Sequence, residues 1–240
     1  MLVIGLDAAA QWKKFGYAIG HYADRRITIE SAGILGDEIG LAQKIGSHLQ
    51  PSRNALVAID APLGWPKALG DALAHHHVGE PLALLPNELF RRTTDDYIYS
   101  LLGKRSLDVG ADKIARAAWR ALDVLGQLRR MVGHKIPVLV EPWGRSGLVA
   151  IEVYPAATLK AYGIKASGYK DDEGLEARRA IAKEIEPLVS GITPYAEEAD
   201  DVFDACLCLV AALDFLGNHA APPEDIDLAR KEGWIWVRHS

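Results

Sequence analysis

Cysteine and long apolar runs are both scarce in this sequence. Among its 240 residues only Cys206 and Cys208 are cysteines, and side chains two positions apart do not face each other on a helix. A disulfide or a cysteine-based metal site is therefore not expected, which favours a reducing, cytoplasmic location. No uncharged apolar run approaches the roughly 20 residues that cross a membrane, so we expect no membrane partner.

A surplus of positive charge is missing as well. The formal net charge is −5, whereas domains that bind nucleic acid along a broad surface are usually basic. A nucleic-acid or nucleotide substrate would therefore be short or structured and would contact a local basic patch. The G-x-S-x-G motif of serine hydrolases is also absent. With 49% hydrophobic residues, the chain can bury a good-sized core, and we predict a single domain over residues 1–240.

Two short apolar segments each run directly into an aspartate. Residues 2–6 end at Asp7, and residues 55–59 end at Asp60. If the two segments are neighbouring parallel strands, about 4.8 Å apart, their carboxylates emerge side by side at the sheet edge where open α/β sheets bind ligands. Like charges at this separation need a cation or a shared proton.

Apolar periodicity and turn residues predict an α/β protein that opens with a strand, a hairpin, a helix and a further strand. Prolines and glycines interrupt the next segment, about residues 66–146, which we interpret as an insertion. The predicted strands are residues 2–6, 15–21, 27–34, 55–59, 148–153 and 232–237, and the predicted helices are residues 39–49, 112–131, 156–162, 175–189 and 200–216.

A third acidic group begins the apolar helix predicted over residues 200–216. Asp204 lies one turn into that helix and shares a face with Asp201 or Asp200. Acidic residues in the first turn of a helix often do no more than interact favourably with the positive end of the helix dipole. A carboxylate that faces the core, however, needs a partner. Glu152, near the end of another predicted strand, is a further candidate ligand. Oxygen ligands without His or Cys suit Mg²⁺ or Mn²⁺.

Six segments spread over nearly the whole chain carry a resemblance to a known family. They are GLD at 5–7, IDAPLGWP at 59–66, FRRTTD at 90–95, IEVYP at 151–155, DVFDA at 201–205 and EGWIW at 232–236. In this order they resemble the family called domain of unknown function 429, described as predicted RNase H-like nucleases. The resemblance implies an α/β fold with an RNase H-like mixed five-stranded sheet flanked by helices on both faces. Three of its strands are antiparallel and two more run parallel to the first, here with a helical insertion between the fourth and fifth strands.

The resemblance also implies which residues would perform the chemistry. RNase H-like and Holliday-resolvase-like enzymes hold metal ions with an acid on the first strand, an acid on the fourth strand and one or two acids on the last helix. The matching positions are Asp7, Asp60 and Asp201 or Asp204. We therefore predict a hydrolase of phosphodiester bonds that uses two Mg²⁺ or Mn²⁺ ions, about 3.5 to 4 Å apart. Asp7 would bridge the two ions, and Glu152 would be an additional ligand.

Three basic residues are candidates for holding substrate phosphate. Arg91 and Arg92 lie in the FRRTTD segment, and a guanidinium group binds phosphate oxygens in a two-pronged fashion. Lys170 is the third candidate, although Asp171 beside it is also typical of a solvated surface position.

Two other functions stay open on the sequence. An ATP-using phosphotransferase of the actin or sugar-kinase type also begins with a strand-borne aspartate, but alanines at 8–10 follow Asp7 where a phosphate-binding Gly and Ser/Thr turn is expected. A non-catalytic module would bind nucleic acid or protein through exposed tryptophans, for which the candidates are Trp65, Trp143, Trp234 and Trp236. A second copy of the chain is a further candidate partner, in a homodimer.

Overall fold

The computed structural model describes residues 1–49, 54–110, 112–142, 146–171 and 173–239. Within these ranges the protein has an α/β fold in which helices pack on both faces of a mixed sheet. Trp143, one of the tryptophans considered for partner binding, lies outside the described residues.

Six strands form the sheet in the described part of the chain. They are β1 Leu2–Asp7, β2 Gly16–Ala23, β3 Arg26–Ile34, β4 Ala55–Asp60, β5 Leu148–Glu152 and β6 Val189–Ser190, in the spatial order β5-β4-β1-β2-β3-β6. Strands β1, β2 and β3 are antiparallel, β4 and β5 run parallel to β1, and β6 runs parallel to β3. β1 and β4 are buried up to their final aspartates, as expected for apolar strands that are covered on both faces.

The same residues contain nine α-helices. They are α1 Glu38–Lys44, α2 Lys67–Leu73, α3 Pro86–Phe90, α4 Thr93–Leu102, α5 Asp112–Val132, α6 Pro155–Ala161, α7 Leu175–Ile185, α8 Asp200–Leu216 and α9 Ile226–Glu232. Helices α2 to α5 lie between β4 and β5 in the chain. Amphipathic α5 buries Val124, Leu125 and Leu128 against one face of the sheet. In the described ranges, no helix has both the length and the apolarity to cross a membrane.

Helix α8 packs across the opposite face of the sheet at an unusually short distance. It is buried from Val202 to Phe215. A Cβ atom at Gly5 would lie 2.1 Å from the carbonyl oxygen of Ala205, and one at Gly16 would lie 2.0 Å from that of Asp201. Because glycine has no Cβ, these two positions let the first turns of α8 lie directly on β1 and β2.

The expected five-stranded sheet is wrong in its strand count, because β6 adds a sixth strand beside β3. β6 begins at Val189, the last residue of the helix predicted over 175–189, whereas α7 ends at Ile185. Pro187 explains the difference, since proline has no N–H group with which to continue a helix. A two-residue strand is also too short to produce an alternating apolar pattern.

The predicted closing strand at residues 232–237 is also wrong. Glu232 is the last residue of α9, and Gly233 follows it with a φ of 85°. The residues after Gly233 make isolated bridges, among them Ile235 with Glu152. The N–H of Ile235 donates to Oγ1 of Thr94 at 2.8 Å rather than to a strand. The N–H of Trp236 donates to the carbonyl oxygen of Glu152 in β5 at 2.9 Å, so the segment touches the sheet at one bridge without forming a continuous strand. The alternating apolar pattern mainly reflects side-chain burial.

Candidate metal centre

Strands β1 and β4 end side by side in two aspartates. Asp7 and Asp60 are register partners, so both carboxylates leave the same edge of the sheet, the edge at which open α/β sheets bind ligands. The N–H of Ala8 donates to the carbonyl oxygen of Asp60 at 3.3 Å. This hydrogen bond extends the pairing one residue past the strands and holds the two backbones together where the side chains emerge.

Asp204 of α8 brings a third carboxylate to this edge. Asp7, Asp60 and Asp204 each offer one oxygen, and these oxygens lie within 4.8 Å of one another. Oxygens on opposite sides of a Mg²⁺ ion are about 4.2 Å apart, because each lies about 2.1 Å from the metal. Three oxygens no more than 4.8 Å apart lie within about 2.8 Å of a common point, so side-chain shifts of at most about 0.7 Å bring all three to the Mg–O distance. A set of oxygen donors suits Mg²⁺ or Mn²⁺.

Burial raises the pKa of all three carboxyl groups. For Asp7 the negative charges of Asp204 and Asp60 add to the effect of burial. Burial raises the pKa of Asp60 to about 7. Burial also raises the pKa of Asp204, although Lys170 opposes the shift. A divalent cation would stabilise the ionised forms, since it offsets the mutual repulsion and replaces lost hydration.

Two adjacent residues of the loop between α6 and α7 hold the oxygens of Asp204. Oδ1 accepts a hydrogen bond from the Tyr169 hydroxyl at 2.8 Å, and Oδ2 forms an ion pair with the ammonium group of Lys170. The Asp204 side chain is 1% exposed and that of Lys170 is 48% exposed, so the lysine connects a buried carboxylate with solvent. Each carboxylate oxygen has two acceptor sites, so these contacts leave capacity for a metal ion.

Glu152, predicted as a further ligand, is held by Arg92 and does not converge with the three aspartates. Its oxygens lie 2.8 Å from Nη2 and 3.1 Å from Nη1 of Arg92, and it accepts the N–H of Leu63 at 2.9 Å. Arg92 also donates two hydrogen bonds of 3.0 Å to Asp95 and one of 3.1 Å to the carbonyl oxygen of Glu232. Because Arg92 is 1% exposed, its guanidinium group is engaged by protein groups rather than presented to a phosphate.

Asp201 and Arg91 do not belong to the group of three aspartates. Asp201 is partly exposed one turn before Asp204. Burial and the charge of Asp200 raise its pKa. The Arg91 side chain lies 3.6 Å from the exposed carboxylate of Asp96.

A cavity of about 300 Å³ adjoins the aspartates. Asp7, Asp60 and Lys170 line it with charged groups, and Leu107 and Ile114, from the loop before α5 and from α5 itself, line it with apolar groups. The volume falls in the range of small-molecule pockets. The cavity can therefore admit one nucleotide-sized group beside the carboxylates.

A family model described as "Protein of unknown function (DUF429)" matches residues 5–228, a range that includes Asp7, Asp60 and Asp204. The chain belongs to the DUF429 family. No curated protein matches it.

Two tyrosines at the site of this DUF429 member were not among the site residues predicted from the sequence. Tyr154 lines the cavity, and burial raises its pKa to about 12. Burial and the charge of Asp204 raise the pKa of Tyr169 as well. Both hydroxyl groups are therefore protonated hydrogen-bond donors at neutral pH. Tyr154 belongs to the IEVYP segment that carries the family resemblance, whereas the only sequence signal of Tyr169 is its position directly before Lys170.

The tryptophans considered for partner binding in this DUF429 chain differ in exposure. Trp234 and Trp236 are 3% and 1% exposed. Their indole N–H groups donate to the carbonyl oxygens of Ala221 at 2.9 Å and Leu139 at 2.8 Å, so both side chains belong to the core. Trp65 is 36% exposed.

Proposed function

We propose that this protein is a metal-dependent nuclease that hydrolyses phosphodiester bonds with carboxylate-held Mg²⁺ or Mn²⁺. One observation carries the proposal: Asp7, Asp60 and Asp204 each place a carboxylate oxygen within 4.8 Å of the other two. Burial raises the pKa of each of these groups, and for Asp7 and Asp60 the neighbouring carboxylates add to the rise. Such a cluster beside a cavity is typical of a cation-binding catalytic site.

The arrangement of the strands also supports an RNase H-like enzyme. Antiparallel β1, β2 and β3, followed by β4 and β5 parallel to β1, match the order that the family resemblance implies. The acids sit on the first strand, the fourth strand and α8, again as the resemblance implies. Strand β6 is an addition to this order.

Bound divalent ions would supply a water activated for attack and would stabilise the charge of the leaving oxygen. Asp7, Asp60 and Asp204 would hold the first ion. In a two-metal arrangement Asp201 is the acid best placed to help hold a second ion, because it precedes Asp204 by one helical turn and is partly exposed. Glu152 would instead hold the main chain at Leu63 through its hydrogen bond.

The cavity supports a role for two further residues in binding the substrate. Lys170 lines it with a half-exposed ammonium group, which would attract a phosphate once a metal ion compensates Asp204. The protonated hydroxyl of Tyr154 would donate a hydrogen bond to substrate oxygens. The apolar wall at Leu107 and Ile114 would exclude water from the opposite side. A short or locally unpaired nucleic acid is the substrate class that fits.

A cleavage assay tests the proposal. Purified protein is incubated with branched, single-stranded and duplex nucleic acids, with Mn²⁺, with Mg²⁺ or with EDTA. We expect cleavage only with a divalent ion, and we expect Asp7→Asn to reduce it more than about 100-fold, since even residues that merely orient metal ligands contribute about 10–100-fold. Asp227→Asn is the matched control, because the Asp227 side chain is 90% exposed.

Equal cleavage by the wild type and Asp7→Asn would overturn the proposed site. A thermal shift on adding Mn²⁺ that depends on Asp7, together with ATP-dependent phosphorylation and no cleavage, would favour the phosphotransferase. No Asp7-dependent shift and no cleavage would favour the binding module.

A further inference from the structure

Trp119 is an exposed aromatic residue in the middle of a charged helix face. It lies on α5 and is 59% exposed. Lys113 and Arg116, which precede it at three-residue intervals, are exposed as well, so the three side chains follow one stripe of the helix. An indole of this size left in water is energetically unfavourable, which makes its position informative.

Arg120 and Trp12 form the inner border of this surface. The guanidinium carbon of Arg120 lies 5.0 Å from the centroid of the Trp119 ring and 4.8 Å from that of Trp12. Nη1 of Arg120 donates to Asp123 at 3.1 Å, which anchors the guanidinium group. Trp12 in turn packs against buried Phe15, with ring centroids 5.7 Å apart. The Trp119 ring is therefore supported from within by a fixed stack of planar groups, as cation–π contacts provide.

The surface at Trp119 neighbours the cavity beside the aspartates, because the loop after β1 and helix α5 border both. A cleft lined by Ala10, Arg116 and Trp119 shares the loop after β1 with that cavity, which is lined by Ala8. Two residues of chain span at most about 7 Å. Helix α5 also borders both spaces, with Ile114 facing the cavity.

The charge of this surface opposes that of the whole protein. The chain carries a formal charge of −5, yet here the three basic residues Lys113, Arg116 and Arg120 outnumber the two acids that pair with them, Asp112 and Asp123. Lys14 adds another positive charge at the neighbouring turn, and its charge partly offsets the rise in the pKa of Asp201 that burial and Asp200 cause. Asp112 is the nearest acid to Arg116, at 3.6 Å, and both side chains are more than three-quarters exposed, so water screens that pair strongly. An anionic ligand would find favourable charge along this stripe.

We propose that Trp119 is a stacking platform for one base of a single-stranded nucleic acid whose adjoining phosphodiester enters the aspartate cavity. The inference rests on the proposed nuclease function and names its substrate class. Exposed aromatic rings beside basic groups bind unpaired nucleotides, because every base has a face that can stack. A duplex cannot use this site without unpairing, since its base faces are already stacked. Arg116 and Lys113 contact the phosphates on either side of the stacked base.

Binding experiments in EDTA test the platform separately from cleavage. Fluorescently labelled single-stranded DNA and single-stranded RNA of equal length are titrated with wild-type protein, Trp119→Ala, Trp119→Phe and Trp65→Ala, and matched duplexes serve as competitors. We expect Trp119→Ala to weaken single-strand binding about tenfold, equivalent to about 1.4 kcal/mol. Trp119→Phe retains an aromatic face and recovers most of the affinity. Trp65→Ala removes an exposed tryptophan elsewhere and binds as the wild type does.

Intrinsic fluorescence supplies a second readout. Stacking of a base on Trp119 quenches its emission, so the single strand reduces the fluorescence of the wild type and of Trp65→Ala more than that of Trp119→Phe. A difference in affinity between single-stranded DNA and single-stranded RNA identifies which of the two nucleic acids the site prefers.

Several results would overturn the inference: unchanged affinity in Trp119→Ala, an equal loss in Trp65→Ala, duplex binding as tight as single-strand binding, or no binding by the wild type. If Asp7-dependent cleavage persists while Trp119→Ala binds normally, the stacking site alone is wrong. If Trp119-dependent binding is present without Asp7-dependent cleavage, the stacking site stands and the nuclease proposal fails.

Discussion

Asp7 and Asp60 face each other in register across the parallel pair β1–β4, and this pairing puts both carboxylates at one edge of the sheet. The third carboxylate depends on how closely α8 lies on β1. A Cβ atom at Gly5 would be 2.1 Å from the carbonyl oxygen of Ala205, the residue that directly follows Asp204. The glycine two positions before Asp7 therefore helps set the distance between the sheet aspartates and the helix aspartate.

Gly5→Ala is expected to destabilise the protein and to weaken its metal binding together. The added methyl group must push α8 away from β1, and overpacking of this kind costs about 1–3 kcal/mol of the free energy of unfolding. The same movement carries Asp204 away from Asp7 and Asp60, so we expect Mn²⁺ to bind more weakly. Urea unfolding and a calorimetric Mn²⁺ titration measure the two effects.

Gly70→Ala provides the control for that substitution. Gly70 lies within α2, and a Cβ atom there would have no neighbour within 4 Å. Alanine is more favourable than glycine in a helix by about 0.5–1 kcal/mol, so this variant should be slightly more stable and should bind Mn²⁺ normally. Similar losses in both glycine variants would contradict the close-packing argument.

The convergence of Asp7, Asp60 and Asp204 was accessible from the sequence because each residue has a local signal. Two apolar strands end in aspartate, and Asp204 follows a run of acids at the start of a very apolar helix. Strand pairing and helix periodicity then limit where such residues can lie. Their proximity follows from these regular elements without knowledge of any side-chain contact.

The groups that surround those aspartates could not be obtained in the same way. Arg92 and Glu152 are 60 residues apart and meet only after the helices between β4 and β5 fold back onto the sheet. Lys170 lies in a loop, where no periodicity indicates a direction, and its contact with Asp204 is purely tertiary. The sequence shows the charge of such residues but gives no sign of which are buried. Burial is what distinguishes Arg92, which holds protein groups together, from an arginine on the surface that is free to bind a ligand.

Arg92→Met is expected to lower the free energy of unfolding by about 3–5 kcal/mol, the usual effect of removing one partner from a buried ion pair. Glu152 and Asp95 would then lose the buried guanidinium group that neutralises them. Arg91→Met is the neighbouring control, because Arg91, itself 21% exposed, lies 3.6 Å from a carboxylate that is 63% exposed, and pairs screened by water contribute about 0–1 kcal/mol. Chemical denaturation measures the free energy of unfolding of both variants. Equal losses would show that the buried contacts of Arg92 contribute no more to stability than those of Arg91.

Lys170→Met should be destabilising chiefly when metal is absent. Without metal, Lys170 is the cation paired with Asp204, and its removal leaves a buried carboxylate uncompensated. Because the lysine is half-exposed, we expect a loss of about 1–2 kcal/mol, below the range for fully buried pairs. Saturating Mn²⁺ supplies the missing positive charge and should recover most of the loss.

Thermal unfolding in EDTA and in Mn²⁺ measures that recovery. Lys165→Met is the control, since Lys165 is an exposed lysine of the same loop. A loss of stability in Lys170→Met that is identical with and without Mn²⁺ would show that the metal does not replace the ammonium group.

The metal-free protein should become less stable as the pH rises toward neutrality. Burial raises the pKa of Asp60 from 3.8 to about 7, so between about pH 4 and pH 7 the folded state holds a proton that the unfolded state has released. The free energy of unfolding must then fall as pH increases through this window, and the contribution of Asp60 levels off above about pH 7. Asp7 and Asp204, whose pKa values are also raised, act in the same direction.

Asp60→Asn tests that pH dependence directly, because asparagine has no proton to lose. In EDTA its free energy of unfolding should decline less steeply with pH than that of the wild type, and the variant should be the more stable of the two near neutral pH. Mn²⁺ competes with the proton for Asp60, so the wild type should bind the metal more tightly as pH rises through about 7. Parallel pH profiles for the wild type and Asp60→Asn, measured by urea unfolding, would show that the Asp60 carboxyl is ionised throughout the window and that its neighbours already compensate its charge.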